Sequence, residues 1–419
     1  MLDQLSISQD VRDFFMSVVI VGAGHAASQI VSSLRVSDYS GAITIIGNEP
    51  YIPYQRPPLS KQVLAGEMLL EDVYLKAPEF YDVAKADLVL DSHVESIDRD
   101  QRTVTLSGGD LIAYEHLVLA TGARPREITL PGSALDGIFY LRTIEDTNRI
   151  RNYFRPGAKL VIIGGGYIGL EVAAVAAKAG LKVTVLEMAE RVMNRVVAPI
   201  ISQFYQDIHS KHGVDIRTNV TISHLEDNGN GHVGAVICGN DESVEADFVV
   251  VGIGGIPNTE LAAVAGLAVD NGIIVDEYAR TDDPTIFAVG DCTNHPNGIY
   301  QRRIRLESVQ NASDQATAAA NTICGKPEPY CAVPWFWSDQ YDIKLQIAGL
   351  SQGYEQTVLR GDPKSAVFSV IYLKDGVLLA VDAVNNPRDF IQAKKLVAAR
   401  VRPDPAVIAD ISIKLKDLF

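Results

Sequence analysis

The hydrophobic pattern of this chain consists of short apolar runs that alternate with helix-length stretches. The runs at 18–21 and 42–46 enclose one such stretch, and the runs at 160–163 and 182–186 enclose another. Apolar runs of this length are typical of buried strands, and a helix between two of them is typical of parallel strands. The pattern therefore predicts two βαβ motifs and a chain of the α/β class.

A glycine-rich turn follows the first run of each βαβ motif. The letters GAGHAA stand at 22–27 and the letters GGGYIG at 164–169. Glycine permits the tight strand-to-helix turn and lets the backbone approach a pyrophosphate, while the helix N-terminus supplies N–H groups. The second strand ends at Asn48-Glu49 in one motif and at Glu187 in the other, where an acid can hold a ribose diol. A single glycine fingerprint is weak evidence for a dinucleotide site, but two complete motifs in one chain predict two such sites.

Outside these motifs, alternating segments and turns indicate further modules. A late strand at 285–289 ends in Gly290-Asp291 and suits a return into the first sheet, and from about residue 332 an aromatic cluster, three short alternating strands and a basic helix follow. We therefore predict an N-terminal extension at 1–16, a first dinucleotide-binding domain in two pieces at 17–118 and 253–331, a second dinucleotide-binding domain at 119–252, and a C-terminal domain at 332–419.

Composition narrows the class of partner. Hydrophobic residues make up 47% and charged residues 21%, as in globular proteins with a sizeable core. The formal net charge of −15 argues against nucleic acid or anionic lipid as a partner. No apolar run reaches the roughly 18 residues of a membrane span, and the start MLDQ has an acid where a secretory signal carries Lys or Arg. We expect a cytoplasmic protein without a membrane anchor.

The four cysteines indicate neither a disulfide framework nor a metal site. Cys238, Cys292, Cys324 and Cys331 are scattered without a CxxC spacing, which is typical of reduced thiols. We predict no bound metal.

The motifs along the chain carry a family resemblance. The series GxGxxA, PPLSK, ATG, GGGYIGLE, GIGxxPN, AVGD, ESV and WFWSDQ resembles that of the FAD-dependent ferredoxin reductases of the glutathione-reductase fold. The most specific elements are PPLSK at 57–61 and WFWSDQ at 335–340, because many flavoproteins share the glycine fingerprints. The resemblance implies two Rossmann-like dinucleotide-binding domains of the glutathione-reductase type plus a C-terminal α+β domain. It also implies an NADH-dependent enzyme that passes electrons through FAD to a two-iron two-sulfur ferredoxin of a monooxygenase or dioxygenase system.

The resemblance assigns FAD to the first fingerprint, completed by the carboxylate of Asp291. Whether Asn48 or Glu49 contacts the FAD ribose stays open, and Arg56 and Arg142 are candidates to neutralise the pyrophosphate. The residues expected to contact FAD are Gly22, Gly24, Ala26, Ala27, Asn48, Glu49, Arg56, Lys61, Val94, Ala120, Thr121, Gly122, Arg142, Asp291 and Val309.

The second fingerprint is then the nicotinamide cofactor site. After Glu187 come Met188, Ala189, Glu190 and Arg191, so a 2′-phosphate would meet carboxylate repulsion with only Arg191 nearby to compensate. NADH is therefore favoured over NADPH. The residues expected to contact it are Gly164, Gly166, Ile168, Gly169 and Glu187.

Three further residues are candidates for catalysis. By resemblance, Lys61 lies near the flavin ring, where an ammonium stabilises negative charge, and Glu171 pairs with it. The alternatives are a solvated loop lysine and a helix N-terminal acid favoured by the helix dipole. Trp337 is a candidate for the electron path, although Trp335 has an equal claim and the whole aromatic cluster could simply fill a core.

Ferredoxins are generally acidic, so an acidic reductase needs a local positive patch to attract one. Two basic segments qualify, and a solvated face is the alternative for both. The residues expected near the docked ferredoxin are Arg302, Arg303, Arg305, Lys394 and Lys395. We expect a monomer.

Related flavoenzyme classes are separated by what the chain lacks. Disulfide reductases and NADH peroxidases carry redox cysteines soon after the first βαβ motif, whereas the first cysteine here is Cys238. Two alternatives stay open: a redox-sensing protein like apoptosis-inducing factor, with weak oxidoreductase activity, and a rubredoxin reductase.

Overall fold

The computed structural model describes residues 17–418, so the predicted extension at 1–16 lies outside the described residues. The chain divides into two compact units. We call the part at 17–55, 73–124 and 256–332 the first unit, and the part at 56–72, 125–255 and 333–418 the second unit.

A parallel five-stranded sheet forms the centre of the first unit. The late strand lies beside His116–Leu119, so its predicted return into the first sheet is confirmed. Apolar side chains cover both faces of the sheet, and the helices His25–Val36 and Val309–Ile323 contribute to the same core on one of them. Burial on both faces explains why these strands are continuous apolar runs. The strands, in sheet order, are Ile286–Ala288, His116–Leu119, Ser17–Val21, Ala42–Ile46 and Ala86–Val89.

Smaller elements complete the first unit. Two three-stranded sheets are formed by Val94–Asp98, Thr103–Leu106 and Leu111–Ala113, and by Ile273–Ile274, Thr293–Asn297 and Arg302–Ile304. The shorter helices are Pro78–Val83 and Glu260–Val264.

The second unit repeats the parallel arrangement around the second fingerprint. Its five-stranded sheet has the order Asp215–Arg217, Lys182–Leu186, Lys159–Ile163, Phe248–Val251 and Ile138–Tyr140. The helices of this part are Gln62–Ala65, Ile144–Arg151, Tyr167–Lys178 and Pro199–Lys211. A three-stranded sheet consists of Ile222–Asp227, Val233–Cys238 and Ser243–Glu245. Both βαβ motifs and the α/β class are thus confirmed.

The C-terminal segment forms an antiparallel sheet of five strands, not the three predicted. Val367–Lys374 and Val377–Val384 are buried along almost their whole length, so they lack the alternation that the sequence analysis used to find strands. The sheet order is Trp335–Gln340, Ile343–Gly349, Val377–Val384, Val367–Lys374 and Gln356–Asp362. The helices Pro387–Ala398 and Pro405–Ala409 follow.

This antiparallel sheet shares a core with the second fingerprint's part of the chain. Leu345, Phe368 and Tyr372 pack in one cluster with Leu170 and Phe204. The second unit therefore joins two segments that the predicted division separates, 125–255 and 333–418. It also includes residues 56–72, which were predicted to belong to the first dinucleotide-binding domain. The division into three domains stays a prediction. Between residues 17 and 418, no helix is long and apolar enough to cross a membrane.

Candidate functional site

The first glycine fingerprint forms a cradle in the first unit. Gly22 has φ of +114°, and a Cβ there would lie 2.2 Å from the carbonyl oxygen of Ala120, so only glycine fits. Gly24 caps the helix His25–Val36 in an extended conformation, and a Cβ at this position would meet no described atom within 4 Å. The rest of the protein thus does not require glycine at position 24. The open space in front of this helix suits a pyrophosphate.

The turn at Gly290 and Asp291 lies beside the same helix. Gly290 has φ of +82°, and a Cβ at this position would lie 3.8 Å from the Cβ of Ala26. The side-chain oxygen of Gln315 accepts the Gly290 N–H at 2.7 Å and the Thr293 hydroxyl at 2.9 Å. The chain therefore fixes the predicted FAD-contacting acid next to the first turn of the fingerprint helix.

Asn258 holds the loop at Ala120, Thr121 and Gly122. The Thr121 hydroxyl donates to the Asn258 carbonyl at 2.7 Å, and the Asn258 side-chain amide donates to the Thr121 carbonyl at 2.8 Å. The backbone N–H of Asn258 donates to the Gly122 carbonyl at 2.9 Å. Sequence reasoning quoted Asn258 only within the motif GIGxxPN and did not predict it as a site residue. Its position in that motif was the signal that could have identified it.

The acid after the second strand of the first motif is partly engaged. The Tyr54 hydroxyl donates to Oε2 of Glu49 at 2.6 Å, while Asn48 is exposed. Val94 is buried and packs in the core, so a contact between Val94 and FAD would use the backbone. The choice between Asn48 and Glu49 as the ribose ligand stays open.

The second fingerprint forms a similar cradle in the second unit. Gly164 has φ of +104°, and a Cβ there would lie 2.5 Å from the Gly252 carbonyl oxygen. A Cβ at Gly169 would lie 2.4 Å from the Gly164 carbonyl, so the helix can pack closely on the strand only with glycine here. Gly166 caps the helix Tyr167–Lys178, and a Cβ at this position would make only an ordinary contact at 3.8 Å. Again the cap glycine is not required by the protein itself.

Backbone N–H groups hold the Glu187 carboxylate. Gly165 donates to Oε2 and Ala189 donates to Oε1, both at 2.7 Å. A carboxylate oxygen has a second lone pair, so these bonds leave acceptor capacity for a ribose diol. The acid is therefore oriented by backbone donors and lies close to the glycine turn.

Arg191 does not offer compensation for a 2′-phosphate. Its guanidinium donates to the Val197 carbonyl at 2.8 Å, to the Ser202 hydroxyl at 2.7 Å and to the Asn194 carbonyl at 3.0 Å. These contacts hold the guanidinium against its own loop and the first turn of the helix Pro199–Lys211. The negative charge of Glu187 thus has no help from Arg191 in accepting a phosphate.

Lys61 and Glu171 form a buried ion pair in the second unit. The Lys61 ammonium lies 2.6 Å from Oε2 of Glu171 and also donates to the Pro57 carbonyl at 3.1 Å. The Ser60 hydroxyl donates to the same oxygen and the Ser338 hydroxyl to Oε1, each at 2.6 Å. The two charged side chains are only 12% and 4% exposed. Lys61 is therefore not a solvated loop lysine, and Glu171, the alternative for which was a helix N-terminal acid favoured by the dipole, is bonded to three side-chain donors.

The serines of this cluster were missed in the sequence analysis. Ser60 belongs to the motif PPLSK and Ser338 to WFWSDQ, the two segments on which the resemblance depends most. Both serines are almost fully buried. Their presence in the most specific motifs was the available signal.

Arg56 and Arg142 lie together in the second unit. The guanidinium of Arg56 donates to the Arg142 carbonyl at 2.8 Å, and the Arg142 N–H donates to the Asp146 carboxylate at 3.1 Å. Their predicted contact with the FAD pyrophosphate stays a prediction.

The aromatic cluster divides into residues with different surroundings. The Lys394 ammonium lies 5.4 Å from the centre of the Trp335 ring, and Phe336 packs against Tyr167 with 4.9 Å between ring centres and the rings tilted by 41°. Trp337 is 5.7 Å from Trp335 and 6.4 Å from Phe336, measured between ring centres. All three rings thus make packing contacts within the second unit, and the choice between Trp335 and Trp337 for the electron path stays a prediction.

The three predicted docking arginines differ in availability. The Arg303 guanidinium donates to the Val275 carbonyl at 2.7 Å and burial lowers the pKa of Arg303, while Arg305 pairs with Glu307 at 2.5 Å. Arg302 is exposed. Of the three, Arg302 presents its charge most directly to solvent.

The two predicted docking lysines lie on the helix Pro387–Ala398. Lys394 covers the rings of Trp335 and Phe390, with 5.0 Å to the latter, whereas Lys395 is exposed. Lys395 is therefore the freer of the two charges. Among residues 17–418, no group of three or more His, Cys, Asp or Glu side chains could hold a metal ion.

The residues fit two dinucleotides. There is open space beside the cap glycines Gly24 and Gly166, since a Cβ at either position would make no close contact with the protein. An acid follows the second strand of each motif. Ile168, in the first turn after Gly166, is 49% exposed although it is a large apolar residue. Such an exposed apolar side chain beside an N-terminal cradle is expected where a cofactor covers it.

Comparison with known proteins gives the family. The model of pyridine nucleotide-disulphide oxidoreductases matches residues 16–316, and the model named Reductase C-terminal matches residues 335–419. Putidaredoxin reductase of Pseudomonas putida is 45% identical over 407 residues, 96% of each chain. Rhodocoxin reductase of Rhodococcus erythropolis is 43% identical over 96% of this chain and 94% of its own.

A solved structure agrees with these relatives. The crystal structure of the covalent putidaredoxin reductase–putidaredoxin complex matches with a TM-score of 0.93 and 44% identity over 96% of this chain and 97% of that chain. A further relative, 40% identical over 95% of this chain and 98% of its own, is named as the ferredoxin–NAD(+) reductase component of the anthranilate 1,2-dioxygenase system of Burkholderia cepacia, and the family uses FAD and NAD(H). The resemblance inferred from the motifs is therefore confirmed. This chain belongs to the pyridine nucleotide-disulphide oxidoreductase family, carries a Reductase C-terminal domain, and is an oxidoreductase of the ferredoxin reductase type.

Proposed function

We propose that this protein is an NADH:ferredoxin reductase that takes a hydride from NADH onto FAD and passes single electrons to a two-iron two-sulfur ferredoxin of a monooxygenase or dioxygenase system. The observation that carries the proposal is the pair of glycine cradles. At the helix cap of each cradle, Gly24 and Gly166, the protein itself has room for a larger residue, so a bound ligand is the reason for glycine there. The names of the close relatives agree with the acceptor class.

We assign the cradle of the first unit to FAD and that of the second unit to NADH. Gly22 and Gly24, with Asp291 beside their helix, would hold the FAD pyrophosphate and hydroxyls. Gly164, Gly166 and Glu187 would hold NADH. When bound, FAD supplies the two-electron to one-electron conversion.

The side chains of the second unit favour NADH over NADPH. The Glu187 carboxylate lies at the end of the second strand, held by the N–H groups of Gly165 and Ala189, and the Arg191 guanidinium bonds to the Val197 carbonyl. A 2′-phosphate would therefore meet repulsion without a compensating cation.

Lys61 supplies fixed positive charge in this proposal. The Glu171 carboxylate holds the ammonium in place, and the two serines hold the carboxylate. A preorganised cation costs no reorganisation when negative charge develops nearby. Trp337 is proposed to line the electron path.

Thiol chemistry is not part of the proposal. No cysteine precedes Cys238. Cys292 is completely buried, and burial raises the pKa of its thiol, which disfavours the reactive thiolate. The described cysteines are free.

The partner is inferred from a relative. A covalent complex with putidaredoxin has been crystallised for putidaredoxin reductase. We propose that this chain binds a ferredoxin of the same class through the exposed Arg302 and Lys395, with Arg303, Arg305 and Lys394 as weaker contributors. The monomeric state and the cytoplasmic location stay predictions.

A matched pair of glycine variants tests the assignment of the two sites. We expect the wild-type protein to be yellow, to hold one non-covalent FAD and to be bleached by NADH. Gly24→Ala should fold but bind FAD at least about tenfold more weakly, because only the pyrophosphate needs the space. Gly166→Ala should stay yellow and bind NADH at least about tenfold more weakly. The measurements are circular dichroism, FAD titration by fluorescence, and NADH titration of the holoenzyme.

Acceptor assays separate the proposed function from its alternatives. Rapid reduction of a two-iron ferredoxin supports the proposal. Preferential reduction of a rubredoxin would instead identify the protein as a rubredoxin reductase. A long-lived reduced complex with slow turnover on every acceptor would identify a redox sensor instead. A colourless protein that takes up no FAD on reconstitution would overturn the proposal as a whole.

A further inference from the structure

A chain of hydrogen bonds connects the Glu171 carboxylate with the surface of the second unit. The Gln340 side-chain nitrogen lies 3.2 Å from the Ser338 hydroxyl, and its oxygen lies 2.8 Å from Nε2 of His209. Nδ1 of His209 lies 3.2 Å from the Tyr341 hydroxyl. Ser338, Gln340 and His209 are each no more than 1% exposed. Tyr341 is half-buried, and the exposed His212 stacks on its ring with 3.8 Å between ring centres.

The direction of every bond in this chain follows from the carboxylate. The Glu171 carboxylate accepts the Lys61 ammonium at Oε2, and a carboxylate can only accept, so the Ser338 hydroxyl must donate to Oε1. The Ser338 oxygen can then only accept from the next group, which turns the NH₂ of Gln340 towards it. The Gln340 oxygen consequently faces His209.

The imidazole of His209 completes the sequence of donors. Burial lowers the pKa of His209 to about 4, against a smaller opposing effect of its bond to Gln340, so the ring is neutral at pH 7. A neutral ring has one donor and one acceptor nitrogen. Nε2 must carry the proton, because Gln340 presents an oxygen, and Nδ1 must accept from the Tyr341 hydroxyl.

Tyr341 occupies an uncommon backbone position for its residue type. It has φ of +57° in the turn between Trp335–Gln340 and Ile343–Gly349. A non-glycine residue in the left-handed region carries a cost that the surrounding contacts must offset. Here the ring contacts both His209 and His212, with 5.0 Å between the first pair of ring centres.

We infer that Gln340 and His209 are positioning residues for the Lys61–Glu171 pair, acting through an oriented series of donors that runs from Tyr341 through His209, Gln340 and Ser338 to the carboxylate. All four donors point towards Glu171, and aligned hydrogen bonds polarise one another in a low-dielectric interior. The series fixes Oε1, so Oε2 is left for Lys61 and Ser60. It is not a proton path, because the amide of Gln340 interrupts proton exchange.

The kinetic consequence of this inference rests on the proposed function, whereas its structural consequence does not. The protonated nitrogen of His209 can be observed whether or not NADH is a substrate. In ¹⁵N-histidine-labelled holoenzyme at pH 7, the ring resonances that are missing from the spectrum of His209→Gln belong to His209, and they should show a neutral ring protonated at Nε2. Tyr341→Phe removes only the last hydroxyl and should shift the Nδ1 resonance of that ring. A charged His209, or one protonated at Nδ1, would overturn the inference.

A matched pair of variants tests the positioning role in the holoenzyme. His209→Gln keeps one donor and one acceptor, whereas His209→Leu removes both. We expect His209→Leu to reduce the rate constant of flavin reduction by NADH about two- to tenfold, the equivalent of one hydrogen bond, with little change in the Kd for NADH. His209→Gln should stay within about twofold of wild type, and so should the control His232→Leu, since His232 bonds to Tyr153 and to the Val233 carbonyl instead.

A double variant distinguishes positioning from general destabilisation. In a Glu171→Gln background, His209→Leu should have little further effect on the rate constant or on the midpoint potential of the bound flavin. Effects that multiply, or equal losses in His209→Leu and His209→Gln, would contradict the inference. Where His209→Leu does not fold, Tyr341→Phe still decides the matter through the ¹⁵N spectrum, and His209→Gln serves to assign the His209 resonances. A wild-type holoenzyme that NADH does not reduce would refute the proposed function and leave that spectrum as the test of the inference.

Discussion

Single carboxylates in this chain acquire their roles from the donors around them. Glu187 accepts two backbone N–H groups near the glycine turn, and Glu171 accepts two serine hydroxyls and the Lys61 ammonium. Asp382, in contrast, accepts from the Tyr372 hydroxyl at Oδ2, and its Oδ1 has no partner among the described residues. The first two carboxylates are therefore suited to hold charge, whereas the third is not.

Glu187 should determine the preference for NADH. Replacing it with Ala should lower kcat/KM for NADH by about tenfold or more and narrow the gap to NADPH, because a hydrogen bond to a charged group is worth about 1.5–3 kcal/mol. Glu187→Gln keeps one acceptor for the N–H groups of Gly165 and Ala189, and it controls for disturbance of the loop. Steady-state kinetics with both nucleotides measure the effect. Equal use of both by the unmodified enzyme would refute this role.

At the scale of elements, the C-terminal sheet contains a charge that burial penalises. Asp382 lies on Val377–Val384 and Tyr372 on the neighbouring Val367–Lys374. Tyr372 also accepts the Ala198 N–H at 2.8 Å, so it joins the sheet to the start of the helix Pro199–Lys211. Burial raises the pKa of Asp382 to about 7. The sheet therefore carries a carboxyl group that prefers to be neutral.

Asp382→Asn should stabilise the protein at high pH. The pKa of Asp382 in the folded protein lies above the unfolded value of about 3.9, so its contribution to stability is fully present below about pH 4 and is lost as pH rises to about 7. The free energy of unfolding of the variant relative to wild type should rise over this range by on the order of 2–4 kcal/mol and stay level above it. Urea unfolding of the holoenzyme at several pH values measures the difference.

Asp389 is the matched control for this prediction. It is also buried, but it pairs with Arg360 at 3.0 Å. Asp389→Asn leaves that cation without its partner and should destabilise the protein at pH 8. Stabilisation by both variants, or by neither, would contradict the assignment of Asp382 as the penalised charge.

At the scale of the whole molecule, net charge and local charge have opposite signs. The chain carries −15, yet the predicted docking residues are all basic. Three of them are exposed: Arg302 and Arg303 in the first unit and Lys395 in the second, although the Arg303 guanidinium bonds to the Val275 carbonyl. Long-range repulsion of an acidic ferredoxin would be overcome only by such local positive charge.

Charge reversal should separate docking from flavin reduction. Arg302→Glu and Lys395→Glu, alone and together, should raise KM for the ferredoxin and flatten its dependence on salt, since screening acts over about 10 Å at 0.1 M. Stopped-flow reduction by NADH and turnover with ferricyanide should stay near wild type. Lys211→Glu reverses another exposed charge and should leave ferredoxin kinetics unchanged. Equal effects of Lys211→Glu and the docking variants would show that the net charge of the protein, and not a docking face, controls the ferredoxin kinetics.

The sequence alone determined the class of fold, the two dinucleotide motifs and the family. Each motif is local, since strand, glycine turn, helix, second strand and acid follow one another within a few tens of residues. Local order suffices because a βαβ connection has one favoured handedness and places the acid beside the turn. The late strand could be predicted as well, because its Gly-Asp end suits a strand that returns to the sheet.

Only the tertiary structure decided how distant side chains meet. Glu171 contacts Lys61 across 110 residues and Ser338 across 167, and no periodicity in the sequence encodes such a contact. The donor series through Gln340 and His209 and the lock of Asn258 on Thr121 arise in the same way. The C-terminal sheet has five strands where three were predicted, and two of the five, Val367–Lys374 and Val377–Val384, are buried along nearly their whole length and lack the alternation that marks a half-exposed strand. Local backbone chemistry thus specifies the cradles, whereas packing alone specifies what surrounds the buried charges.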